Sequence, residues 1–271
     1  MSSDSTYFSW VGSEQSFVDD INVQQLKHVT VGRFGGNSSA GQYKNEDGCV
    51  LWINEKEDWE FAALLDAHNT AQSAELIVNL LEMDKVNFEH ILCLELKQNM
   101  FQQLEEKILN MFQSEEVLSA CQHVIGETAC LIIVRKGKYV WWFSVGDGLL
   151  YLFHSELVAL GQYQVNQRQF FEWIGQVNTF EQEVPCYSVG IKELRQGMNR
   201  IFLTTDGLVE CPNEPYSNPK NIYNCFKGVT DEEAIRSMLE IIQKNNVRDS
   251  TTIISWPINS LNKATTASNS L

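Results

Sequence analysis

The sequence predicts an α+β fold of mostly antiparallel sheets with segregated helices. Three observations predict it. Apolar runs of strand length fall in two blocks. Two stretches of helical periodicity lie between them. Strands and helices do not alternate regularly, as a parallel βαβ sheet requires, and no heptad repeat suggests a coiled coil.

Residues 1–30 offer one candidate element, an edge strand at 7–11. VGRFGGNSSAGQ (31–42) is rich in Gly, Ser and Asn and reads as a loop. The runs GCVLWI (48–53) and WEFAALLD (59–66) read as strands. From 71 to 82 the pattern turns helical, with Ala74, Ile77, Val78 and Leu81 on one face. Residues 87–112 read as a second helix, in which Phe101, Leu104, Ile108 and Met111 or Phe112 recur every three or four positions. Residues 115–124 extend or follow it.

The period then changes. Residues 129–134 and 139–145 read as a hairpin of buried strands around a basic turn. Residues 149–153 and 156–160 read as another hairpin, whereas the polar stretch 161–186 yields no assignment. Residues 201–205 form a strand, and 230–245 a helix that Thr230 and Glu233 can close with a capping box. Residues 251–256 are the last strand. No repeat or linker is evident, so one domain is expected over 1–258, with a disordered tail at 259–271.

Composition excludes several partners. The chain has 271 residues, 44% of them hydrophobic, and a net charge of −15 from 35 acidic and 20 basic residues. Such a surface repels nucleic acid and anionic lipid. It also raises the question of which cations sit among the acids. No apolar stretch approaches the ~20 residues of a membrane span. MSSDSTYFSW has no basic region followed by an apolar core, so no secretory signal is read. Seven cysteines without a CxxC pair fit free thiols in a reducing cytoplasm.

The informative feature is a set of acids at strand mouths. Glu46-Asp47 precede Gly48; Asp66 ends an apolar strand; Asp147 lies between Gly146 and Gly148; Asp206 precedes Gly207; Asp249 precedes the last strand. Singly, each reads as a turn or a solvated acid. Strand ends are rigid, so together they can hold carboxylates at fixed separations. Such a hard-oxygen cluster suits Mg²⁺ or Mn²⁺.

In order, these motifs resemble the metal-dependent protein serine/threonine phosphatases of the PP2C family. Asn45-Glu46-Asp47 matches the first acidic motif, and Leu64-Leu65-Asp66-Ala67-His68 the V-x-D-G-H element. Gly126-Glu127-Thr128-Ala129 resembles the entry to the central hairpin, and Val145-Gly146-Asp147 the N-x-G-D-S-R region. Thr204-Thr205-Asp206-Gly207-Leu208 matches S/T-D-G-[LV], and Asp249-Ser250-Thr251-Thr252-Ile253 the closing D-N-x-T.

The resemblance implies a four-layer αββα sandwich with a metal site at one end, between the sheets. It implies two Mn²⁺ or Mg²⁺ ions bridged by Asp66 and a more weakly bound third ion near Asp147. Asp206 and Asp249 would hold one metal, Glu46 and Asp47 would act on the other directly or through water, and the Ala67 carbonyl would stand where a glycine's usually does. A water between the metals would attack phosphorus directly, and His68 would protonate the leaving oxygen of a phosphoprotein substrate. Gln42 replaces the usual phosphate-binding arginine, leaving Lys44 and Arg33 as nearby candidates. Asn69 also replaces a glycine, Ser250 an asparagine, and Gly148-Leu149 a Ser-Arg pair, while L-T-x-D-H is not recognisable in 155–175. A catalytically silent scaffold and a phosphohydrolase of small esters remain open as alternative readings.

Overall fold

The computed structural model describes residues 5–266 and 268. It opens with strands β1 (Ser5–Val11), β2 (Ile21–Leu26), β3 (Val29–Phe34), β4 (Gly48–Asn54) and β5 (Trp59–Ala67). Helices α1 (Gln72–Leu92), α2 (Gln98–Phe112) and α3 (Glu115–Cys121) follow. The central block holds β6 (Glu127–Lys136), β7 (Tyr139–Val145), β8 (Leu149–Phe153), α4 (Ser155–Ala159), β9 (Ile174–Gly175), β10 (Ser188–Glu193) and β11 (Gly197–Thr204). The chain closes with α5 (Pro219–Cys225), α6 (Asp231–Lys244) and β12 (Thr251–Ser260).

One sheet has the order β1-β4-β5-β6-β7-β10, with β9 on β6; the other runs β2-β3-β12-β11-β8. Every strand pair is antiparallel. Alternation along β4 explains the layering. Cys49, Leu51 and Ile53 point between the sheets toward Val31, Leu203 and Trp256. Val50 and Trp52 point outward, under α1 and α2, with Phe61, Phe88 and Leu104. The second sheet's outer face, including Phe34, Phe202 and Ile253, is covered by Ile222 of α5 and by Ile235, Met238 and Ile242 of α6. The result is α/β/β/α, the α+β four-layer architecture expected.

Several local expectations change. The stretch 31–42 is not loop throughout, because β3 runs to Phe34 and all six of its residues are buried. Its glycine has a packing reason: a Cβ at Gly32 would lie 2.3 Å from Ile235 Cγ2 of α6. The helix read over 87–112 is two, since α1 continues to Leu92 and α2 starts at Gln98. Residues 156–160 do not pair with β8. His154 caps α4 there, its ring accepting from the Glu156 amide at 3.2 Å, and β8 pairs with β11. Strands β2 and β10 and helix α5 were not legible. The capping box on α6 is formed, with Thr230 N–H donating to Glu233 at 2.8 Å and Glu233 N–H to Thr230 Oγ1.

The last strand extends past the expected domain end, pairing Asn259 with Met198 and Ser260 with Gly197. Residues 261–266 have no helix or strand, yet the Thr265 amide donates to Glu193 and its carbonyl accepts from Arg195. The rest of the expected tail, 267 and 269–271, lies outside the described residues. All seven cysteines are free. No described helix is long and apolar enough to cross a membrane.

Candidate metal centre

Antiparallel register places the acids at one end of the sandwich. Gly48 opposes Leu65, Asp66 opposes Ala129, and Cys130 opposes Val145, so the β4 start, β5 end, β6 start and β7 end share an edge. In the facing sheet Thr204 opposes Ile253, which sets the β11 end beside the β12 start. Acids 140 residues apart thereby meet.

Carboxylate oxygens of Asp66, Asp147 and Asp206 lie within 4.8 Å of one another. Asp47 is fully buried beside them. Its Oδ2 accepts from Thr252 Oγ1 of β12 at 2.7 Å and from Thr205 Oγ1, just past the end of β11, at 3.3 Å. Gly207 lets the two chain segments close there: a Cβ would sit 2.3 Å from the Ser250 carbonyl oxygen. That glycine serves a backbone-to-backbone approach.

Glu46, Asp66, Ala67, His68 and Asp249 line a cleft of about 280 Å³ with Gln42, Asn69 and Arg248. Ala67 stays in the β5 ladder opposite Thr128, so its carbonyl position needs no glycine. Asn69 takes the left-handed conformation, φ 70°, which asparagine tolerates. The exposed His68 ring makes an edge contact with Trp173 at 6.3 Å between centroids.

Without a counter-ion the cluster opposes its own ionisation. Burial first, then Asp47, Asp206, Asp249 and Asp147, raises the Asp66 carboxyl well above its ordinary range. Burial raises Asp47 in the same sense, with Asp249 and Asp206 adding to it and the two threonine hydroxyls working against it. Burial, then Asp249, Asp147 and Glu210, pushes Asp206 up to about 8, with Arg168 pulling the other way. Asp249 is raised too, by burial of its carboxyl first, with the Ser250 amide bond and then His68 opposing. Asp147 Oδ1 is buried without a hydrogen-bond partner. Convergent oxygens, ionisation held back and one unpaired buried oxygen fit a divalent cation site.

The structure separates the phosphate candidates. Gln42 is buried, and its amide donates to Glu46 Oε2 and Ser250 Oγ at 3.4 Å each. Lys44 pairs with Glu46 at 2.8 Å and donates to the Asn69 carbonyl. Arg33 is not brought to the cleft: its guanidinium donates to Asn22 and Gln24 and lies about 5 Å from the Phe8, Trp10 and Phe17 rings. It faces the inter-sheet core because it follows Val31 by two on the strand.

Two arginines in the site escaped sequence reading. Arg248 lines the cleft and makes no ion pair among the described residues. Its one signal was adjacency to Asp249. Arg168 donates to the Asp147 carbonyl and to Asp206, and ion-pairs with Glu210. It came from the unassigned stretch 161–186, which carries no periodicity to read.

Comparison with known proteins places the chain by family and fold. A family model described as Protein phosphatase 2C matches residues 44–249. No curated protein sequence matches the chain. Among solved structures, a bacterial serine phosphatase is 14% identical with TM-score 0.58, covering 97% of this chain and 99% of its own. The serine/threonine phosphatase Stp1 from Staphylococcus aureus is 15% identical with TM-score 0.59, covering 95% and 96%. The catalytic domain of the serine threonine protein phosphatase PstP, solved with two manganese ions, is 14% identical with TM-score 0.56, covering 94% and 98%. These likenesses concern the fold.

Proposed function

The chain belongs to the protein phosphatase 2C family, its model covering 44–249, and we propose that it hydrolyses phosphoserine and phosphothreonine in proteins with two divalent ions, Mn²⁺ or Mg²⁺. The observation that carries this is the gathering of Asp66, Asp147 and Asp206 oxygens within 4.8 Å beside a cleft lined by His68 and Arg248. Support for the metal also comes from the PstP relative, solved with two manganese ions.

Asp66, Asp47, Asp206, Asp249 and Glu46 would hold the ions, with the Ala67 carbonyl in reach of the same space. When bound, the ions would supply an acidified water at neutral pH and draw charge from the phosphoryl oxygens. The chain's own residues do the rest. Thr252 and Thr205 fix the orientation of the Asp47 carboxylate across the two sheets. His68, exposed at the cleft and braced by Trp173, would hold a proton at the departing serine or threonine oxygen. Arg248 would take the phosphate contact that Gln42 cannot make as a cation, its guanidinium forming charge-assisted bonds to phosphoryl oxygens. Lys44, tied to Glu46, orients that acid instead. The net charge of −15 and the free thiols fit a partner other than nucleic acid or anionic membrane, in a reducing compartment such as the cytoplasm.

The test is hydrolysis of an aryl phosphate and of a phosphothreonine peptide with Mn²⁺, Mg²⁺ or EDTA. Turnover of both that EDTA stops is expected. Asp206→Asn should lower it by about 10²-fold or more, since a metal ligand contributes several kcal/mol. No turnover by folded protein with any divalent ion would make the chain a scaffold. Turnover of the aryl phosphate alone would make it a small-ester phosphohydrolase.

A further inference from the structure

Arg168 sits inside the carboxylate cluster, and its placement bears on how many ions the cluster takes; the inference rests on the metal-dependent reading above. Its Nη2 lies 3.2 Å from Asp206 Oδ2, 3.5 Å from Asp147 Oδ2 and 2.7 Å from Glu210 Oε1. Its Nε donates to the Asp147 carbonyl at 3.2 Å. Two of the three carboxylates that approach within metal-binding distance are therefore already partners of a guanidinium; Asp66 is the third.

The arginine is not a surface side chain leaning inward. Its side chain is 19% exposed. The next residue anchors the backbone, Gln169 N–H donating to the Gly146 carbonyl at 2.9 Å. The guanidinium also packs 4.7 Å from the Phe170 ring centroid. Glu210 holds the outer edge, and it follows Asp206 by one turn, its amide donating to the Asp206 carbonyl at 2.9 Å. The cation is thus fixed by the same segment that supplies the metal acid.

A guanidinium does not lose its proton in a protein, so this charge is permanent. Five aspartates, Asp47, Asp66, Asp147, Asp206 and Asp249, converge here with Glu46 and Glu210 beside them. Arg168 is a fixed positive charge among them, paired with Asp147 and Asp206 on one side and Glu210 on the other. A further divalent ion at the Asp147 edge would have to share carboxylates with the guanidinium and meet its repulsion.

We propose that Arg168 is a built-in cation of the metal centre, occupying the edge between Asp147 and Asp206, so that the chain loads two divalent ions and no third. Arg168 is a positioning residue in this role: it acts through the carboxylates and touches no substrate.

Metal counting tests it without reference to turnover. Calorimetric titration of Mn²⁺ into EDTA-stripped protein should give two sites in the wild type, and Asp147→Asn should leave that number at two. Arg168→Gln should gain one equivalent of Mn²⁺, and the gain should vanish in Arg168→Gln/Asp147→Asn. Arg168→Lys, which keeps the charge, should stay at two. A third wild-type site that Asp147→Asn removes would overturn the proposal, even if Arg168→Gln fails to fold. So would an Arg168→Gln protein that folds and still binds two. A chain that binds two ions in this pattern yet hydrolyses nothing would refute the phosphatase reading and leave this one standing. A chain that binds no divalent ion would overturn both.

Discussion

Thr252 Oγ1 donates to Asp47 Oδ2 at 2.7 Å, joining an acid that precedes β4 in one sheet to the second residue of β12 in the other. Both side chains are buried. This bond ties the two halves of the candidate metal centre together. Thr252→Val keeps the shape and removes the donor. Hydrogen bonds to charged groups contribute about 1.5–3 kcal/mol, so Mn²⁺-loaded protein should lose about that much in urea unfolding. The loss should shrink in Asp47→Asn/Thr252→Val measured against Asp47→Asn.

Raised carboxyls make metal-free stability depend on pH. Asp206 is pushed up to about 8, chiefly by burial, whereas an unfolded aspartate titrates near 4. Between those values the folded state binds more protons than the unfolded state, so stability falls as pH rises. Asp66 and Asp47, raised in the same direction, act alike. In EDTA the melting temperature should drop from pH 5.5 to pH 8. Mn²⁺ should stabilise more at pH 8 than at pH 5.5, because binding must displace the protons at the lower pH. A metal-free melting temperature that rises over this range would contradict the raised carboxyls.

His68 lines the cleft but belongs to none of the converging carboxylates. His68→Ala should therefore leave Mn²⁺ affinity unchanged. Turnover should fall by about 10²-fold for a poor leaving group such as phosphothreonine, in keeping with general acid catalysis, and less for an aryl phosphate. An equal loss on both substrates, or weakened Mn²⁺ binding, would remove its role as acid.

Arg248 lines the cleft and makes no ion pair among the described residues. Arg248→Met should raise KM for a phosphopeptide, and the inhibition constant of inorganic phosphate, by about tenfold, the equivalent of one charge-assisted bond. The value of kcat should change little, and Arg248→Lys should recover part of the loss. Unchanged phosphate inhibition in Arg248→Met would return the phosphate contact to Gln42 or Lys44.

The acids were legible because each sits where an apolar run starts or stops, a pattern local to a few residues. Their convergence could only be supposed from sequence, through resemblance; the register of β4 through β7 and of β11 with β12 brings them together. The misread segments have separate causes. Val31-Gly32-Arg33-Phe34 looked like loop because glycine and arginine are poor strand signals, yet Gly32 makes room for Ile235, and Arg33 finds partners in Asn22 and Gln24. Residues 156–160 looked like a strand because their apolar residues fit either period over so short a stretch.

By itself the sequence determined the strand and helix periods of the long elements, the order of the acids along the chain and the excess of negative charge. Those properties are local or additive, so one chain read in order contains them. Only the tertiary structure decided that Arg168 stands between Asp147 and Asp206, that Arg248 lines the cleft while Arg33 is buried elsewhere, and that Thr252 holds Asp47. These are contacts between segments separated by up to 205 residues. The stacking of two sheets sets them, through packing that no short window of sequence encodes.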